Sequence, residues 1–391
     1  MMTFLIAVLE WFVAAYFITQ VGYLLLFSLA ASLNKKPVFQ QAKTLHLIRI
    51  IIPAYKEDSV ILSTVYTVFK QTYPTELFDV VVVADSFAEN TLNGLKAMPI
   101  RLIEVAFEKS TKGKALQTAI AVTQNNPADI VVILDADNHM AENFLQMVNN
   151  AFTQGYKAAQ GHRTAKRRNS SFALLDACAE EINNHIFRRG HVALGLPSAL
   201  IGSGMAFDWK EFVRIISHIG ETFGEDKEIE FQLARTRQKV AFLDGVYVYD
   251  EKVATKAVFA KQRSRWLAMQ LEYFQEYFLE GWFQLLRGNV AFFNKSFQTC
   301  ILPRVMLVAM LCLWTLISAI LLPKFVLLNT VLLIALLVSL FLGIPRSWYN
   351  RELLGAFRQI PGAVTGILKS TLQIGMARKS FFHTPHGENL S

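Results

Sequence analysis

Apolar residues are concentrated at the two ends of this 391-residue chain, and the middle alternates between apolar and polar runs. Residues Thr3 to Leu33 are almost wholly apolar, with Glu10 and Gln20 as the strongly polar interruptions. A helix of about 20 apolar residues crosses a bilayer, and this stretch is too long for the apolar core of a secretory signal. The pattern therefore predicts a transmembrane helix within residues 1–36.

Two more apolar stretches lie towards the other end of the chain, at residues 301–322 and 325–344. Each has the length of a membrane-spanning helix. Because Pro323 and Lys324 alone separate them, the pattern predicts a transmembrane hairpin over residues 299–345.

Basic residues flank these segments on one side of the predicted membrane. Lys35 and Lys36 follow the first helix, and Arg346 and Arg351 follow the hairpin. Since basic residues collect on the cytoplasmic side, we predict an integral protein of a bacterial inner or plasma membrane whose central domain is cytosolic.

Two further segments are predicted to lie on the membrane surface. Residues 267–298 carry many aromatic residues at helical spacing, a pattern that is typical of interfacial helices. Residues 346–391 mix apolar and basic residues with Gly and Pro, which predicts an interfacial helix or a fourth span, followed by a C-terminal tail.

The central residues, 44–266, read as alternating strands and helices. Short apolar runs typical of buried strands occur at residues 47–52, 79–84, 101–106 and 130–134, with helical patterns between them. Alternating strands and helices of this kind predict an α/β domain with a parallel sheet covered on both faces.

Composition narrows the choice of partners. The chain has a formal net charge of +8 and three cysteines, too few for a disulfide framework. The basic residues beside the apolar segments favour anionic lipid over nucleic acid. The basic run Arg163 to Arg168 has no interleaved aromatic residues, so we expect it to form a solvated or lipid-facing loop and expect no nucleic-acid partner.

Carboxylates follow several of the predicted strands. Glu57 follows the first strand, Asp85 the second, and Asp135 and Asp137 the fourth. Ligands of parallel α/β sheets bind at the carboxyl ends of the strands, and carboxylate oxygens suit a hard cation such as Mg²⁺ or Mn²⁺. Asp is common in turns, so one such acid alone does not indicate a site. The coincidence of several acids at one sheet edge does.

Seven short motifs occur in order between residues 47 and 266. They are Pro53-Ala54-Tyr55-Lys56-Glu57, Asp85, Gly113-Lys114, Asp135-Ala136-Asp137, Gly202-Ser203-Gly204, Gly224-Glu225-Asp226 and Gln262-Arg263-Ser264-Arg265-Trp266.

In this order the motifs resemble those of the family 2 glycosyltransferases, especially the membrane-embedded branch of cellulose, chitin and hyaluronan synthases and ceramide glucosyltransferase. The chain departs from the family pattern at Lys56, where Asn is usual, and at Gly224, where Thr is usual. Phe381 to Pro385 resembles a tail motif of the same branch.

The resemblance implies a nucleotide-diphospho-sugar transferase domain of the GT-A, Rossmann-like type, joined to transmembrane helices. It implies a catalytic role for Asp226 as general base beside Glu225, metal binding by Asp135 and Asp137, and acceptor binding by Gly202, Ser203, Gly204 and Trp266. It assigns donor binding to Pro53, Ala54, Tyr55, Glu57, Asp85, Lys114, Asp135, Gln262, Arg265 and Trp266.

These roles agree with the chemistry of an inverting transfer, which needs a base for the acceptor hydroxyl and a Lewis acid for the leaving group. Two simpler explanations remain open at this point. Asp226 can be an acid placed at a helix N-terminus, and the residues from Gln262 to Trp266 can belong to an amphipathic helix at the membrane surface.

The expected function is therefore metal-dependent, inverting sugar transfer from a UDP-sugar to a growing polysaccharide or oligosaccharide. The alternative is transfer of a single sugar to a lipid acceptor. A non-enzymatic alternative is an inactive scaffold of a polysaccharide secretion complex. Three spans are few for an export channel, so a homo-oligomer or an export partner is a further expectation.

Overall fold

The computed structural model describes residues 2–220, 222, 224–252, 256–362 and 364–365. The tail motif from Phe381 to Pro385 lies outside the described residues, as does most of the segment predicted as an interfacial helix or fourth span. The helices are α1 (Met2–Leu33), α2 (Ile61–Val68), α3 (Glu89–Lys96), α4 (Lys112–Thr123), α5 (Phe144–Thr153), α6 (Ser171–Asn183), α7 (His191–Ala193), α8 (Trp209–Ile216), α9 (Glu225–Arg235), α10 (Lys256–Leu286), α11 (Val290–Gln298), α12 (Arg304–Leu321), α13 (Val326–Phe341) and α14 (Arg351–Phe357).

The strands of the described residues are β1 (Ile48–Tyr55), β2 (Phe78–Asp85), β3 (Arg101–Val105), β4 (Ile130–Ile133), β5 (His139–Met140), β6 (Ala158–Ala165), β7 (Met205–Asp208) and β8 (Val240–Asp250). They form a single eight-stranded sheet in the order β3-β2-β1-β4-β7-β6-β8-β5. A π-helical segment, Asn184–Gly190, joins α6 to α7, and short 3₁₀ turns occupy Thr75–Leu77, Pro323–Phe325 and Arg346–Trp348.

The predicted α/β class is confirmed, and the four strands predicted from the apolar pattern pair in parallel. Strands β3, β2, β1 and β4 are all parallel. Strand β7 runs antiparallel to both β4 and β6, and β5 runs antiparallel to β8. Strands β6 and β8 are again parallel to each other. The antiparallel strands β5 and β7 were not predicted, because a buried apolar run does not encode strand direction and mixed sheets are common.

Both faces of the central strands are buried. On β1, Ile50 packs into a cluster with residues of α2 and α5, and the next residue, Ile51, packs on the other face with residues of α4 and α8. Successive side chains of a strand point to opposite faces, so burial on both sides produces the continuous apolar runs seen in the sequence.

Among the described residues, three helical segments are long and apolar enough to cross a membrane: Val8–Leu33, Arg304–Leu321 and Pro323–Phe341. They coincide with the three stretches predicted from the apolar pattern. The two polar interruptions of the first helix face inwards. Glu10 accepts hydrogen bonds from Ser318 Oγ (2.9 Å) and Asn329 Nδ2 (3.3 Å), as expected for a polar residue among apolar helices.

The α/β domain packs directly on α1. The imidazole of His191 stacks on the ring of Phe27 with centroids 3.8 Å apart, and its Nε2 lies 2.9 Å from Tyr23 Oη. Burial, with a smaller effect of Lys295, lowers the pKa of His191 to about 3, so the stacked ring is neutral. Gly190 allows this close approach, because a Cβ there would lie 2.2 Å from the carbonyl oxygen of Phe27.

Helix α10 has one face on the domain and one face exposed. Tyr273 and Tyr277 stack with Phe231 of α9, at centroid distances of 5.8 and 4.1 Å. On other sides of the helix, Phe283 and Leu286 are exposed to 63% and 85%. An exposed apolar face beside three apolar helices agrees with the predicted interfacial position of residues 267–298, which stays a prediction.

We expect Gly190→Ala to weaken the packing of the domain on α1, because the new methyl group meets backbone atoms that side-chain rotation cannot move. The matched control is Gly22→Ala on α1, where a Cβ meets no atom within 4 Å. Thermal unfolding in lipid nanodiscs should show a midpoint lower by about 5 °C for Gly190→Ala and unchanged or higher for the control. Equal midpoints would contradict the contact.

Candidate active site

Functional side chains from separate parts of the sequence meet at the carboxyl edge of the parallel strands. We call this region the strand-end site and define it by Asp85, Asp135, Asp137, Glu225 and Asp226. Tyr55, the last residue of β1, lies in register with Asp85, the last residue of β2. The next residues turn away from the sheet with left-handed backbone, at φ of 54° for Lys56 and 60° for Ser86.

Lys56 occupies the position where the family usually has Asn. A left-handed backbone favours Gly and is tolerated by Asn, so this position explains the family preference in conformational terms. Lys56 N donates to the carbonyl of Asp85 at 3.1 Å, which ties the two strand ends together. Pro53 and Ala54 belong to the same strand, and Glu57, which follows the turn, is buried.

Asp85 is buried and held by donors on three sides. Its Oδ1 accepts from Ser86 Oγ at 2.8 Å and from Phe107 N at 3.4 Å, and its Oδ2 accepts from Ser110 Oγ. This set of bonds fixes the carboxylate at the end of β2, where the resemblance expects nucleoside binding.

The ammonium group of Lys112 connects three parts of the strand-end site. It donates to Asp135 Oδ1 at 2.5 Å and to the carbonyl oxygen of Gly202 at 2.6 Å, and it lies 3.7 Å from Glu225 Oε1. Burial disfavours the charged form, but the carboxylates of Asp135 and Glu225 outweigh this effect and raise the pKa of Lys112. The lysine therefore carries a full positive charge inside the site.

Lys114, which the motif pattern indicated as the donor-binding lysine, is directed elsewhere. Its Nζ donates to the carbonyl of Lys109 at 3.3 Å. Helix α4 begins at Lys112, with Thr111 capping the N–H of Lys114. Residues two apart on a helix point in nearly opposite directions, and Lys112 is the lysine whose ammonium contacts Asp135 and Gly202. The sequence indicated the lysines of this basic turn as cations near a diphosphate but did not single out Lys112.

Glu225 and Asp226 begin α9. Glu225 is buried, and this burial, together with the charge of Asp226, raises its pKa to about 7 in spite of the opposing effect of Lys112. Asp226 is partly exposed, and its Oδ1 accepts from Lys227 N at 2.8 Å. The pair thus holds a carboxyl group that exchanges its proton near neutral pH beside a carboxylate that can be reached from outside.

The 202–204 loop faces the acid pair and is fixed to β4. Ser203 Oγ accepts from Asp135 N at 3.0 Å, and Gly204 N donates to Ile133 O at 2.9 Å. Gly202 has a φ of +68°, and a Cβ at this position would lie 4.0 Å from Asp226 Oδ2 and 3.6 Å from Lys112 Nζ. Glycine therefore keeps the space between the acid and the lysine open.

Helix α10 brings the Gln-x-x-Arg-Trp residues to the acid pair. Burial lowers the pKa of Arg265, and the nearby carboxylates of Glu225 and Asp226 offset part of this change. In the part of the chain that the structure describes, Arg265 Nε and Gln262 Oε1 are buried and have no hydrogen-bond partner. Buried polar groups are normally paired, so these two atoms indicate a surface that binds a polar ligand.

Trp266, the last residue of this motif, has its ring next to the guanidinium of Arg263, whose Cζ lies 4.4 Å from the ring centroid. Arg263 in turn pairs with Asp176 of α6. The ring contact and the ion pair together connect α10 to α6 of the domain.

The donor set around Asp137 fits a hard cation. Asp137 is buried, and Asn138 Nδ2 lies 3.3 Å from both Asp137 Oδ1 and Asp250 Oδ1. Within the described ranges, no group of three His, Cys, Asp or Glu side chains could hold a metal alone. Mg²⁺ and similar ions are bound by one or two carboxylates with phosphate and water completing the shell, so Asp137 and Asp135 fit such an ion when a diphosphate is bound.

A buried network behind Asp137 was not predicted. Arg163 pairs with Glu180 at 3.0 Å and lies 3.6 Å from Asp250, and the ammonium of Lys166 contacts the carbonyl of Asp137. The expectation of a solvated or lipid-facing loop was therefore wrong for Arg163 and Lys166. Arg163 belongs to strand β6, and Lys166 directly follows its last residue, with its backbone N–H donating to the carbonyl of Asp250 at 2.8 Å, whereas the next two arginines are exposed.

The raised pKa of Glu225 predicts a pH-dependent stability. The folded protein holds the Glu225 proton up to pH of about 7, whereas the ordinary value is 4.5, so wild-type stability decreases as pH rises between these values. Glu225→Gln should match the wild type in thermal unfolding near pH 4.5 and exceed it at pH 8. The control Glu211→Gln changes a surface acid that pairs with Arg214. Its unfolding midpoint should differ from that of the wild type by the same amount at pH 4.5 and at pH 8. A Glu225→Gln curve parallel to wild type would contradict this prediction.

The family model described as "Glycosyltransferase like family 2" matches residues 46–268, which is more than half of the chain. A comparison with curated proteins finds no match.

Solved structures similar to this chain include the mannosyltransferase PcManGT from Pyrobaculum calidifontis in complex with GDP-Man and Mn²⁺. It is 16% identical, with 84% of this chain and 97% of that chain covered and a TM-score of 0.49. Another is glucosyl-3-phosphoglycerate synthase from Mycobacterium tuberculosis in complex with Mn²⁺, UDP and glucosyl-3-phosphoglycerate. It is 16% identical, with 54% and 73% covered and a TM-score of 0.37. Neither likeness bears on the substrate of this chain. The family match spans the sheet and every element of the strand-end site, and the chain belongs to glycosyltransferase family 2.

Proposed function

We propose that this glycosyltransferase is a membrane-bound, metal-dependent enzyme that transfers a sugar from a UDP-sugar with inversion. One observation supports the proposal most strongly: the side chains of Lys112, Arg265 and the Glu225–Asp226 pair lie close together beside the strand-end carboxylates. Two cationic side chains next to acids of different exposure suit a substrate that has both an anionic leaving group and a hydroxyl to be deprotonated.

The donor is proposed to lie along the ends of β1, β2 and β4. Asp85 and the turn after Tyr55 would contact the nucleoside. The diphosphate would lie near Lys112 and Arg265, whose unpaired Nε is available to an anionic oxygen. A divalent cation held by Asp137 and Asp135 supplies Lewis-acid stabilisation of the leaving diphosphate when bound.

Asp226 is proposed as the general base. Its carboxylate would accept the proton of the acceptor hydroxyl while the hydroxyl oxygen forms a bond to the anomeric carbon. The bond from that carbon to the diphosphate oxygen breaks on the opposite face, and UDP leaves with the bonding electrons. An α-linked donor therefore gives a β-glycoside. The buried carboxyl of Glu225, protonated on a fraction of molecules at neutral pH, would limit charge repulsion beside the base.

We propose that the domain lies on the cytosolic side, at the end of α1 where Lys35 and Lys36 follow the apolar helix. The exposed apolar side of α10 would then lie in the membrane surface. This arrangement holds the strand-end site close to the bilayer.

A growing saccharide chain is the proposed acceptor, because the complete Gln-x-x-Arg-Trp motif resembles that of polymerising synthases. A lipid acceptor is the second candidate, and a specific observation favours it. Among the described residues, Arg263 Nε and Arg304 Nη1 are buried without a hydrogen-bond partner, although the Arg263 guanidinium also pairs with Asp176. Arg304 begins the apolar helix α12. Guanidinium N–H groups left unpaired where an apolar helix begins would suit the phosphate of a lipid acceptor.

Turnover by the purified protein in nanodiscs tests the proposal. A panel of UDP-sugars with Mg²⁺ or Mn²⁺ should give UDP release in the wild type, at least about 100-fold less in Asp137→Ala and Asp226→Asn, and unchanged release in the surface variant Glu211→Gln. Product size then distinguishes a polymer from a single-sugar glycolipid. No UDP release with any donor, together with no UDP binding, would contradict an enzyme and favour the scaffold.

The two lysines of the basic turn give a sharper test of the site. Lys112→Ala should reduce UDP release by about 100-fold, the usual effect of removing one group that stabilises developing charge. Lys114→Ala, with the same change in charge two residues away, should reduce it less than about threefold. The same loss in both variants would show that general charge near the turn, rather than the position of Lys112, matters.

A further inference from the structure

A second cavity lies outside the strand-end site, between the end of α1, the π-helical segment and α13. Its volume is about 800 Å³, within the range of ligand sites. Its lining combines apolar side chains of α13 with basic residues that follow α1, belong to the π-helical segment or follow α13.

The wall and the rim of this cavity differ in chemistry. The wall consists of α13 side chains, of which Leu337, Val338 and Phe341 are exposed to 36%, 44% and 39%. The rim carries four basic residues, Lys35, Lys36, Arg189 and Arg346, that come from three separate parts of the chain. An apolar wall below a basic rim matches the two ends of a phospholipid.

The basic rim is only partly neutralised by the protein. Arg189 binds both oxygens of Asp244, at 2.6 and 2.8 Å, and Lys36 lies 3.6 Å from the same carboxylate. Lys35 and Arg346 form no ion pair with a carboxylate of the described residues. One carboxylate against four cations leaves an excess of positive charge at the rim.

His185 adds no charge to this balance. Burial, with a smaller effect of Arg189, lowers its pKa to about 4. Its Nε2 lies 2.9 Å from the carbonyl of Ser28 and 3.3 Å from Ser32 Oγ. The imidazole therefore fixes the π-helical segment against α1 and shapes one side of the cavity.

We propose that this cavity binds one anionic phospholipid, with the headgroup phosphate between Lys35 and Arg346 and the acyl chains along α13. Basic pockets between apolar helices on the cytoplasmic side are suited to anionic headgroups. A free phosphate would satisfy the rim but leave the exposed apolar wall uncovered, so a lipid is the occupant that matches both surfaces. This inference concerns a site apart from sugar transfer.

The position of the site gives the lipid a structural effect. Arg189 belongs to the π-helical segment on the α/β domain, Lys35 follows α1, and Arg346 follows α13. A phosphate bound between them bridges the domain and two apolar helices. Bound lipid should therefore raise the temperature at which the domain and the helices unfold together.

Native mass spectrometry of the full chain tests the proposal, with phosphatidylglycerol, phosphatidylcholine or inorganic phosphate added to the detergent-purified protein. The wild type should retain one phosphatidylglycerol and show a higher unfolding midpoint with it. Lys35→Gln with Arg346→Gln should bind it about 10- to 30-fold more weakly. Lys43→Gln with Arg351→Gln, two exposed cations that do not line the cavity, should bind it like the wild type.

Three results would overturn the proposal. In the first, the wild type retains phosphatidylcholine as well as it retains phosphatidylglycerol. In the second, the Lys43 and Arg351 control binds phosphatidylglycerol as weakly as the Lys35 and Arg346 variant. In the third, inorganic phosphate raises the unfolding midpoint as much as phosphatidylglycerol does. Unfolding midpoints measured in phosphatidylcholine alone should agree between both double variants and the wild type, which shows that any loss of binding is not a loss of fold.

Discussion

The ammonium of Lys112 lies where separate parts of the chain meet, and the geometry of the strand-end site depends on its bonds. It joins the end of β4, through Asp135, to the 202–204 loop, and its charge faces Glu225. Burying charges costs free energy that an ion pair seldom recovers, so stability does not explain this cluster. Sugar transfer explains the cluster better. A cation that acids already hold in place is in position to stabilise the anionic leaving group when a diphosphate binds.

The apolar pattern predicted four of the eight strands, β1 to β4, because strands buried on both faces leave long apolar runs, as at Ile50 and Ile51. It did not predict that β7 is antiparallel, since direction depends on the connections and not on the strand itself. Motif order predicted which segments form the site. It indicated the basic turn of Lys112 and Lys114 but did not single out Lys112, because the start of α4 decides which lysine contacts Asp135. It also missed Arg163, whose partners are distant in sequence.

The apolar helices and the α/β domain form one packed unit in the described residues. Polar groups that interrupt α1 are used for this packing: Glu10 bonds to the hairpin, and Tyr23 contacts His191 of the domain. Because Gly190 brings two backbones together at the same place, α1 cannot be regarded as a simple tether. The helix orients the strand-end site, and the cavity with the basic rim occurs where the same three parts of the chain meet.

The most direct test of the central claim is a structure of the full chain in nanodiscs with UDP and Mn²⁺. We expect density for the nucleoside near Asp85 and density for the diphosphate in contact with Lys112 and Arg265. The metal should be bound to Asp137. Nucleotide density away from these residues, or no density at saturating UDP, would contradict the assignment of the strand-end site to sugar transfer.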